Sequence, residues 1–540
     1  MANGMTVENF ANNYTKKAKQ FYPLIGSVYT NDCSFINPLD KNNIIGVEKF
    51  QKEQIELIRA LETNKNDVIT YQILELDLNN SIKYLQQKIP YYLPVNQIFS
   101  WHLEFLVIGS GSNDHIFDSL DDYDNWVQKM NIFADFLKSS IDVMRDGIKQ
   151  NITLQKSLVL RMIPQFEDIA NIKLTDNPLY LAIKLLDNNK NITEKDKIRI
   201  TNEYTQIITN KLLPLYEKIV FFLKNEYLPH ASQDTGVGQF IGGQDYYSFM
   251  IKTQAETDLS ADEIHELGLQ EVAKIAKEIN IYKTDEQSPY FKTEQEILDY
   301  LADILKTVNK NVGKLFNIIP KTPIVIKQIE KYRESGASPH YMPGDLTKNR
   351  PGIYYMPIID ATKISKQNAA LEATFVHEAT PGHHYQISLA QENISLSQFR
   401  KDFFSTAMCE GWALYTESLG KELGLYQDKF EYLGYLEMSM MRAIRLVVDT
   451  GLHAKGWTKD DAVTYSKKYL SQPDDEIINS IERYMALPGQ ALSYKIGYFK
   501  IIEILEKQKK LFGDKFDIKI FHDSLLKNGT VPLFILEKNV

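Results

Sequence analysis

Residues 371–384 have the sequence LEATFVHEATPGHH, in which an apolar stretch leads into a cluster of histidines. The whole chain has 540 residues and 10 histidines. Random placement would give a window of eight residues roughly 0.15 histidines, whereas residues 377–384 hold three. Because the residues before His377 and Glu378 are mostly apolar, the stretch predicts a buried helix whose end presents metal-binding side chains.

The motif differs from the zinc-peptidase pattern HExxH, in which two histidines one helical turn apart bind Zn²⁺ and the glutamate polarises a metal-bound water. Pro381 stands where the second histidine belongs, and proline inside a helix removes a hydrogen bond, so we expect Pro381-Gly382 to kink or loosen the helix. On a straight helix His384 returns to the face of His377, but about 10.5 Å further along the axis. A bulge in the helix would instead bring His383 to the face that carries His377. The second ligand is therefore His383 or His384, and we favour His383.

A catalytic zinc site commonly uses three protein ligands and leaves one position for water. The segment CEGWALYTE, residues 409–417, offers two carboxylates at a spacing that places them on the same face of a helix. We predict that Glu410 is the third ligand of a single zinc ion. We predict that Glu417 orients a ligand histidine through a hydrogen bond.

Two segments further along the chain supply hydrogen-bond donors for an oxyanion. VDTGLH ends at His453, and RYMALPGQALSY runs from Arg483 to Tyr494. Tyrosine, histidine and arginine side chains can stabilise the negative charge that develops on a carbonyl under attack. His453, Arg483 and Tyr494 are therefore candidate catalytic residues.

Helix and strand signals elsewhere predict the fold class. Residues 260–263 and 293–296 are capping boxes, and apolar residues follow each of them at helical spacing. Short runs of β-branched and aromatic residues at 324–326 and 353–356 predict strands. The prediction is a mainly α protein with a small β-sheet next to the helix that carries His377.

Composition and charge exclude several classes of protein. The chain is 44% hydrophobic and 24% charged, as in ordinary globular proteins, and its formal net charge is −9. It has no Lys/Arg-rich block, so we expect no nucleic-acid partner. No apolar run approaches the roughly 18–20 residues that span a bilayer. We expect a soluble protein, either cytoplasmic or exported with its signal removed, whose oligomeric state is open.

Four motifs resemble, in this order, the bacterial DUF885 family (domain of unknown function 885). They are HEATPGHHYQ (377–386), EGWALYTE (410–417), VDTGLH (448–453) and RYMALPGQALSYKIG (483–497). The segments at 242–272 and 334–356 also match the style of the family, and the resemblance extends from about residue 20 to near the C-terminus.

The resemblance implies a mostly helical body with a deep cleft and a zinc site, similar to thimet-oligopeptidase-like and carboxypeptidase-Taq-like metallopeptidases. Aligning the Gly-His of those peptidases on Gly382-His383 again selects His383. Their tyrosine-rich segment, which supplies an oxyanion donor, is most similar to the stretch around Tyr494.

A glycine-rich loop, GVGQFIGGQDYY at residues 236–247, marks a division of the chain. We predict a flexible N-terminal segment over residues 1–20, an N-terminal helical lobe over 21–235 and a metallopeptidase-like catalytic lobe over 236–540. The two lobes are expected to form one integrated fold.

The predicted activity is zinc-dependent hydrolysis of peptide or peptide-like amide bonds. In this hypothesis Glu378 is the general base, the metal and Tyr494 stabilise the oxyanion, and Arg483 or His453 holds a carboxylate or oxygen of the substrate. The predicted metal ligands are His377, His383 and Glu410. Two alternatives stay open: a metal-bearing peptide-binding protein without catalytic activity, and a zinc amidase or esterase that acts on a small non-peptide substrate.

Overall fold

The computed structural model describes residues 5–18, 36–64, 67–110, 117–329, 337–346 and 349–540. The chain forms two compact units, Met1–Tyr246 (unit 1) and Tyr247–Val540 (unit 2). Cys33 lies outside the described residues. None of the helices in the described ranges has both the length and the apolar character that a membrane span requires.

Unit 1 is helical. Its core is rich in aromatic side chains, and the ring of Phe105 stacks on Phe133 at a centroid distance of 4.0 Å. The segment that the sequence predicts to be flexible contains a helix with a buried apolar face. The helices are α1 Val7–Ala18, α2 Lys41–Arg59, α3 Val68–Leu85, α4 Lys88–Tyr92, α5 Trp101–Gly109, α6 Leu120–Gln150, α7 Lys156–Asn171, α8 Leu181–Asp187, α9 Glu194–Ile207, α10 Leu213–Phe222 and α11 Gly243–Met250, which crosses the unit boundary.

Unit 2 is also mainly helical, and the two helices predicted from capping boxes are confirmed. Ser260 accepts a hydrogen bond from the backbone N–H of Glu263, and Thr293 accepts one from Glu296. The helices are α12 Ala261–Tyr282, α13 Glu294–Asn311, α14 Leu371–Glu378, α15 His383–Glu392, α16 Gln398–Asp402, α17 Thr406–Ser418, α18 Lys429–Ala454, α19 Lys459–Lys467, α20 Asp474–Ala486, α21 Ser493–Phe512, α22 Ile518–Leu526 and α23 Leu533–Asn539.

A pair of glycines lets α17 and α21 approach closely. A Cβ atom on Gly411 would lie 2.5 Å from the Cα atom of Gly497, and a Cβ atom on Gly497 would lie 1.9 Å from the carbonyl oxygen of Ala407. Such distances leave no room for any side chain. Because Gly411 follows Glu410 and Gly497 lies one turn beyond Tyr494, this crossing positions two predicted site residues.

A three-stranded sheet precedes α14. It consists of β1 Ile324–Gln328, β2 His340–Met342 and β3 Gly352–Met356 in the order β1-β3-β2, with β1 parallel and β2 antiparallel to β3. Tyr354 packs against Phe375 of α14, with ring centroids 5.2 Å apart. The mainly α fold with a small sheet beside α14 is thus confirmed, as are the strands predicted around 324–326 and 353–356. The cleft stays a prediction.

Candidate metal centre

The connection between α14 and α15 brings the histidines together. The sequence predicts that Pro381-Gly382 kinks or loosens a helix. In the structure the helix is interrupted there: α14 ends at Glu378 and α15 begins at His383. A Cβ atom on Gly382 would lie 1.9 Å from the carbonyl oxygen of His377, so the turn folds tightly onto the end of α14. The rings of His377 and His383 are 4.8 Å apart as a result.

Three predicted ligands converge. Nε2 of His377 lies 3.3 Å from Oε2 of Glu410, and Nε2 of His383 lies 3.8 Å from the same oxygen. The ligand atoms of the three residues all lie within 4.8 Å of one another. His384 is not part of this cluster, because its Nδ1 lies 3.0 Å from the hydroxyl oxygen of Tyr341. The geometry agrees with the preference for His383 over His384, although the role of each residue as a ligand stays a prediction.

The carboxylate of Glu410 is the most unusual group in the cluster. Its Oε2 atom is buried and accepts no hydrogen bond within the described part of the chain. Burial by itself would raise the pKa of Glu410, but the interaction with His377 and the charges of both histidines lower it to about 2. A buried, ionised oxygen without a hydrogen bond is costly. A cation between this oxygen and the two imidazole nitrogens would remove that cost.

Glu417 fixes the orientation of His377. Its Oε1 atom lies 2.7 Å from Nδ1 of His377, and Nη2 of Arg442 lies 3.5 Å from the same oxygen. A neutral His377 that donates its Nδ1–H to Glu417 would present the lone pair of Nε2 on the side of Glu410, as a metal ligand must. This is how carboxylates commonly orient metal-binding histidines. The structure therefore places Glu417 where the sequence predicts it.

Glu378 lies beside the cluster and is held by the sheet. Its Oε1 atom is 4.0 Å from Nε2 of His377, and its Oε2 atom accepts a hydrogen bond of 3.0 Å from the backbone N–H of Tyr341. Tyr341 belongs to β2, which the sequence analysis did not predict. Strand β2 has three residues, too few to show the alternation by which a strand is recognised.

Tyr494 and Arg483 lie in the same neighbourhood. Burial and the negative charge of Glu410 raise the pKa of Tyr494, and the positive charges of Arg445, Arg483 and Arg442 oppose that rise. The interaction with Tyr494 also contributes to the low pKa of Glu410. Tyr494 therefore lies next to the candidate ligands, while Arg483 is exposed on α20.

His453 has different surroundings. Its side chain is fully buried, and its Nε2 lies 3.0 Å from the backbone carbonyl oxygen of Tyr484. Its ring packs on Tyr247 at a centroid distance of 5.0 Å. Burial lowers the pKa of His453 to about 4. The group of candidate metal ligands does not include it.

Two arginines of α18 also lie beside the cluster and were not predicted from the sequence. Arg442 contacts Glu417, and Arg445 lies over the ring of Tyr494, 4.4 Å from its centroid. The segment MRAIRLVVD, residues 441–449, carried a signal for both. Two arginines one turn apart in an otherwise apolar helix are expected to have buried polar partners.

Comparison with known proteins identifies the family. The model of the family described as bacterial protein of unknown function (DUF885) matches residues 46–540. The chain belongs to the DUF885 family. The resemblance found in the four sequence motifs is thus confirmed. No curated protein matches the chain.

Two solved structures share the fold of this DUF885 protein. The "putative lipoprotein" from Colwellia psychrerythraea is 25% identical, with a TM-score of 0.84 over 99% of this chain and 98% of that one. The "putative lipoprotein of unknown function" from Shewanella oneidensis is 18% identical, with a TM-score of 0.73 over 99% of each chain. A "putative oligoendopeptidase F" from Bacillus anthracis is 10% identical over 95% of this chain and 94% of that one, and its TM-score of 0.31 is too low to carry an argument.

Proposed function

We propose that this protein is a zinc-dependent hydrolase of peptide or peptide-like amide bonds. The observation that carries the proposal is the buried Oε2 atom of Glu410, which accepts no hydrogen bond in the described residues and faces two imidazole nitrogens. The carboxylate of Glu378 lies 4.0 Å from one of those nitrogens. A hydrolase of this kind needs both the ligands and a base beside them.

The donor set fits zinc. Two nitrogens and one carboxylate oxygen are ligands that catalytic zinc sites use, and three protein ligands leave a further position open. Donors about 2.1 Å from one ion at tetrahedral angles lie roughly 3.4 Å apart. The 3.3 Å between His377 and Glu410 agrees with that spacing, and the 3.8 Å between His383 and Glu410 needs a small closure. A zinc ion held here would lower the pKa of a water molecule and polarise the carbonyl of the substrate.

The chain supplies the proton transfers. Glu378, held by the backbone N–H of Tyr341, would accept a proton from the attacking water and deliver it to the leaving amine. Because the pKa of Tyr494 is raised, its hydroxyl keeps its proton at neutral pH and can donate a hydrogen bond to the oxyanion. Glu417 would keep His377 in the orientation that binds the metal.

The variant Glu378→Gln tests the role of Glu378. Glutamine keeps the size of the side chain but cannot accept the proton, so we expect a zinc content near that of the parent and a turnover lower by about 100-fold or more. Mass spectrometry of a mixed peptide pool incubated with each protein measures the cleavage. Glu422→Gln, at an exposed position of unit 2, is the matched control.

The other outcomes of this experiment contradict the role of Glu378 or favour another function. Equal turnover by the parent and Glu378→Gln would contradict the role of Glu378 as base. Zinc binding by the parent without any cleavage product would favour a peptide-binding protein without catalytic activity. Cleavage of small amides or esters, but of no peptide, would favour the small-substrate alternative.

A further inference from the structure

Helix α18 directs two positive charges towards the candidate metal centre. Arg442 and Arg445 are one turn apart. Nη2 of Arg442 lies 3.5 Å from the carboxylate of Glu417, which in turn contacts His377. The guanidinium of Arg445 lies 4.4 Å from the ring centroid of Tyr494, which interacts with Glu410. Each arginine thus contacts a residue that in turn interacts with a predicted ligand.

The two arginines differ in how their charge is balanced. Arg442 has the carboxylate of Glu417, and the buried Lys495 has the carboxylate of Glu271 at 2.9 Å. Arg445 donates from Nε to the hydroxyl of Tyr484 at 3.2 Å, but the described residues place no carboxylate within 4.0 Å of its guanidinium. Guanidinium groups that are partly buried usually have an anionic partner, often one that accepts two hydrogen bonds. Arg445 has none within the described part of the chain.

The balance of formal charge points to an anionic ligand. Glu378, Glu410 and Glu417 contribute three negative charges to the centre, and Arg442 and Arg445 contribute two positive ones. A divalent cation would change the balance from one net negative charge to one net positive charge. The exposed Arg483 adds to the positive side, since its charge acts on Tyr494. An anionic group on the substrate would neutralise the loaded site.

We infer that Arg445 binds a carboxylate of the substrate, so that the site takes peptides with a carboxylate near the bond to be cleaved. The planar guanidinium presents its Nη groups as a fork, which matches the two oxygens of a carboxylate. A carboxylate at the C-terminus and one on an acidic side chain share this chemistry. The inference rests on the proposed hydrolysis, but a binding measurement tests it separately.

The test uses zinc-loaded Glu378→Gln, which is expected to bind peptides without cleaving them. Three mixed peptide pools are dialysed against it and the retained peptides are quantified by mass spectrometry. One pool has free C-termini and no acidic residues, one has amidated C-termini and one acidic residue per peptide, and one has neither carboxylate. We expect one of the carboxylate pools to be retained roughly tenfold more than the neutral pool, as a charge-assisted pair of hydrogen bonds predicts.

Three double variants, each with one further substitution in the Glu378→Gln protein, show which residue causes the preference for a carboxylate. Arg445→Gln should bring the retention ratio close to one, and Arg445→Lys should restore part of it because the charge remains. Arg199→Gln, at an exposed position of unit 1, is the matched control and should leave the ratio unchanged. Zinc content and the midpoint of thermal unfolding show whether each variant is folded.

The outcomes separate this inference from the proposed function. Retention of all three pools alike, retention of none, or a ratio that survives Arg445→Gln in a folded protein would overturn the inference. Loss of the ratio in Arg199→Gln as well would overturn the assignment to Arg445. If the parent cleaves no peptide but the carboxylate preference is present and depends on Arg445, the proposed hydrolysis fails and the carboxylate site stands.

Discussion

At the scale of single residues, the ion pair of Glu417 decides which nitrogen of His377 is available. The side chain of Glu417 is 2% exposed, and its charge is maintained although burial opposes it, because Arg442 and His377 lower its pKa. Burying a charged carboxylate costs free energy, so the presence of Glu417 here indicates a functional role. Holding Nε2 of His377 towards Glu410 is the task that the contacts indicate.

The variant Glu417→Gln should weaken zinc binding by about 10- to 100-fold, because the amide is a poorer acceptor for Nδ1–H and leaves the charge of Arg442 without a partner. Titration of the metal-free protein with zinc, followed by calorimetry, measures the change. Glu422→Gln should bind zinc like the parent. An affinity that does not change in Glu417→Gln would mean that His377 needs no orientation by Glu417.

At the scale of elements, a carboxyl pair joins α14 to α18. Glu431 of α18 accepts a hydrogen bond from the backbone N–H of Glu372 at 3.2 Å, and the hydroxyl of Tyr300 donates to Glu431 at 2.5 Å and to Glu372 at 3.2 Å. Burial and the charge of Glu372 raise the pKa of Glu431 to about 8. The pair therefore holds a proton at neutral pH at the end of α14 opposite His377.

This proton makes stability depend on pH. Between about 4.5, the ordinary pKa, and about 8, the folded chain keeps a proton on Glu431 that the unfolded chain has lost. The free energy of unfolding should therefore fall as the pH rises through this range, by up to about 1.4 kcal/mol per pH unit from this group. Urea unfolding at several pH values should show a smaller slope for Glu431→Gln than for the parent or Glu422→Gln. The same slope in all three proteins would contradict this assignment.

The turn between α14 and α15 allows a second test at this scale. In Gly382→Ala the new Cβ atom would lie 1.9 Å from the carbonyl oxygen of His377, so the turn must open and move His383. We expect destabilisation of about 1–3 kcal/mol together with weaker zinc binding. Gly313→Ala, where a Cβ atom meets nothing within 4 Å, is the matched control. Denaturant unfolding and zinc titration measure both effects, and a Gly382→Ala protein that binds zinc as tightly as the control would contradict the role of the turn.

Local patterns in the sequence predicted most of the elements of the site, but not their tertiary contacts. Pro381 predicted that the helix is kinked or loosened, but not that it is interrupted over residues 379–382 with Gly382 packed against the carbonyl oxygen of His377. The backbone N–H that holds Glu378 belongs to Tyr341, which is 37 residues away in the sequence. A local pattern does not predict such a contact. Arg445 contacts Tyr494 of another helix, and the spacing of residues along one helix does not show such a contact.

At the scale of the molecule, all the candidate site residues lie in unit 2. The candidate ligands come from α14, α15 and α17, while α18 and α21 supply the arginines and the tyrosine around them. The close crossing of α17 and α21 sets the position of Glu410 relative to Tyr494. Three of the four sequence motifs contribute residues to this centre, whereas His453 of the VDTGLH motif lies against Tyr247 and Tyr484.

The most direct test of the account is the zinc content per chain of the parent and of single histidine variants, purified without chelators. We expect about one zinc per chain in the parent and in His384→Ala, and little zinc in His377→Ala and His383→Ala. His384 is the matched control because it is the neighbour of His383, is equally a histidine, and faces Tyr341 instead of Glu410. A parent that takes up no zinc even when zinc is added back, or a loss of zinc in His384→Ala but not in His383→Ala, would contradict the account.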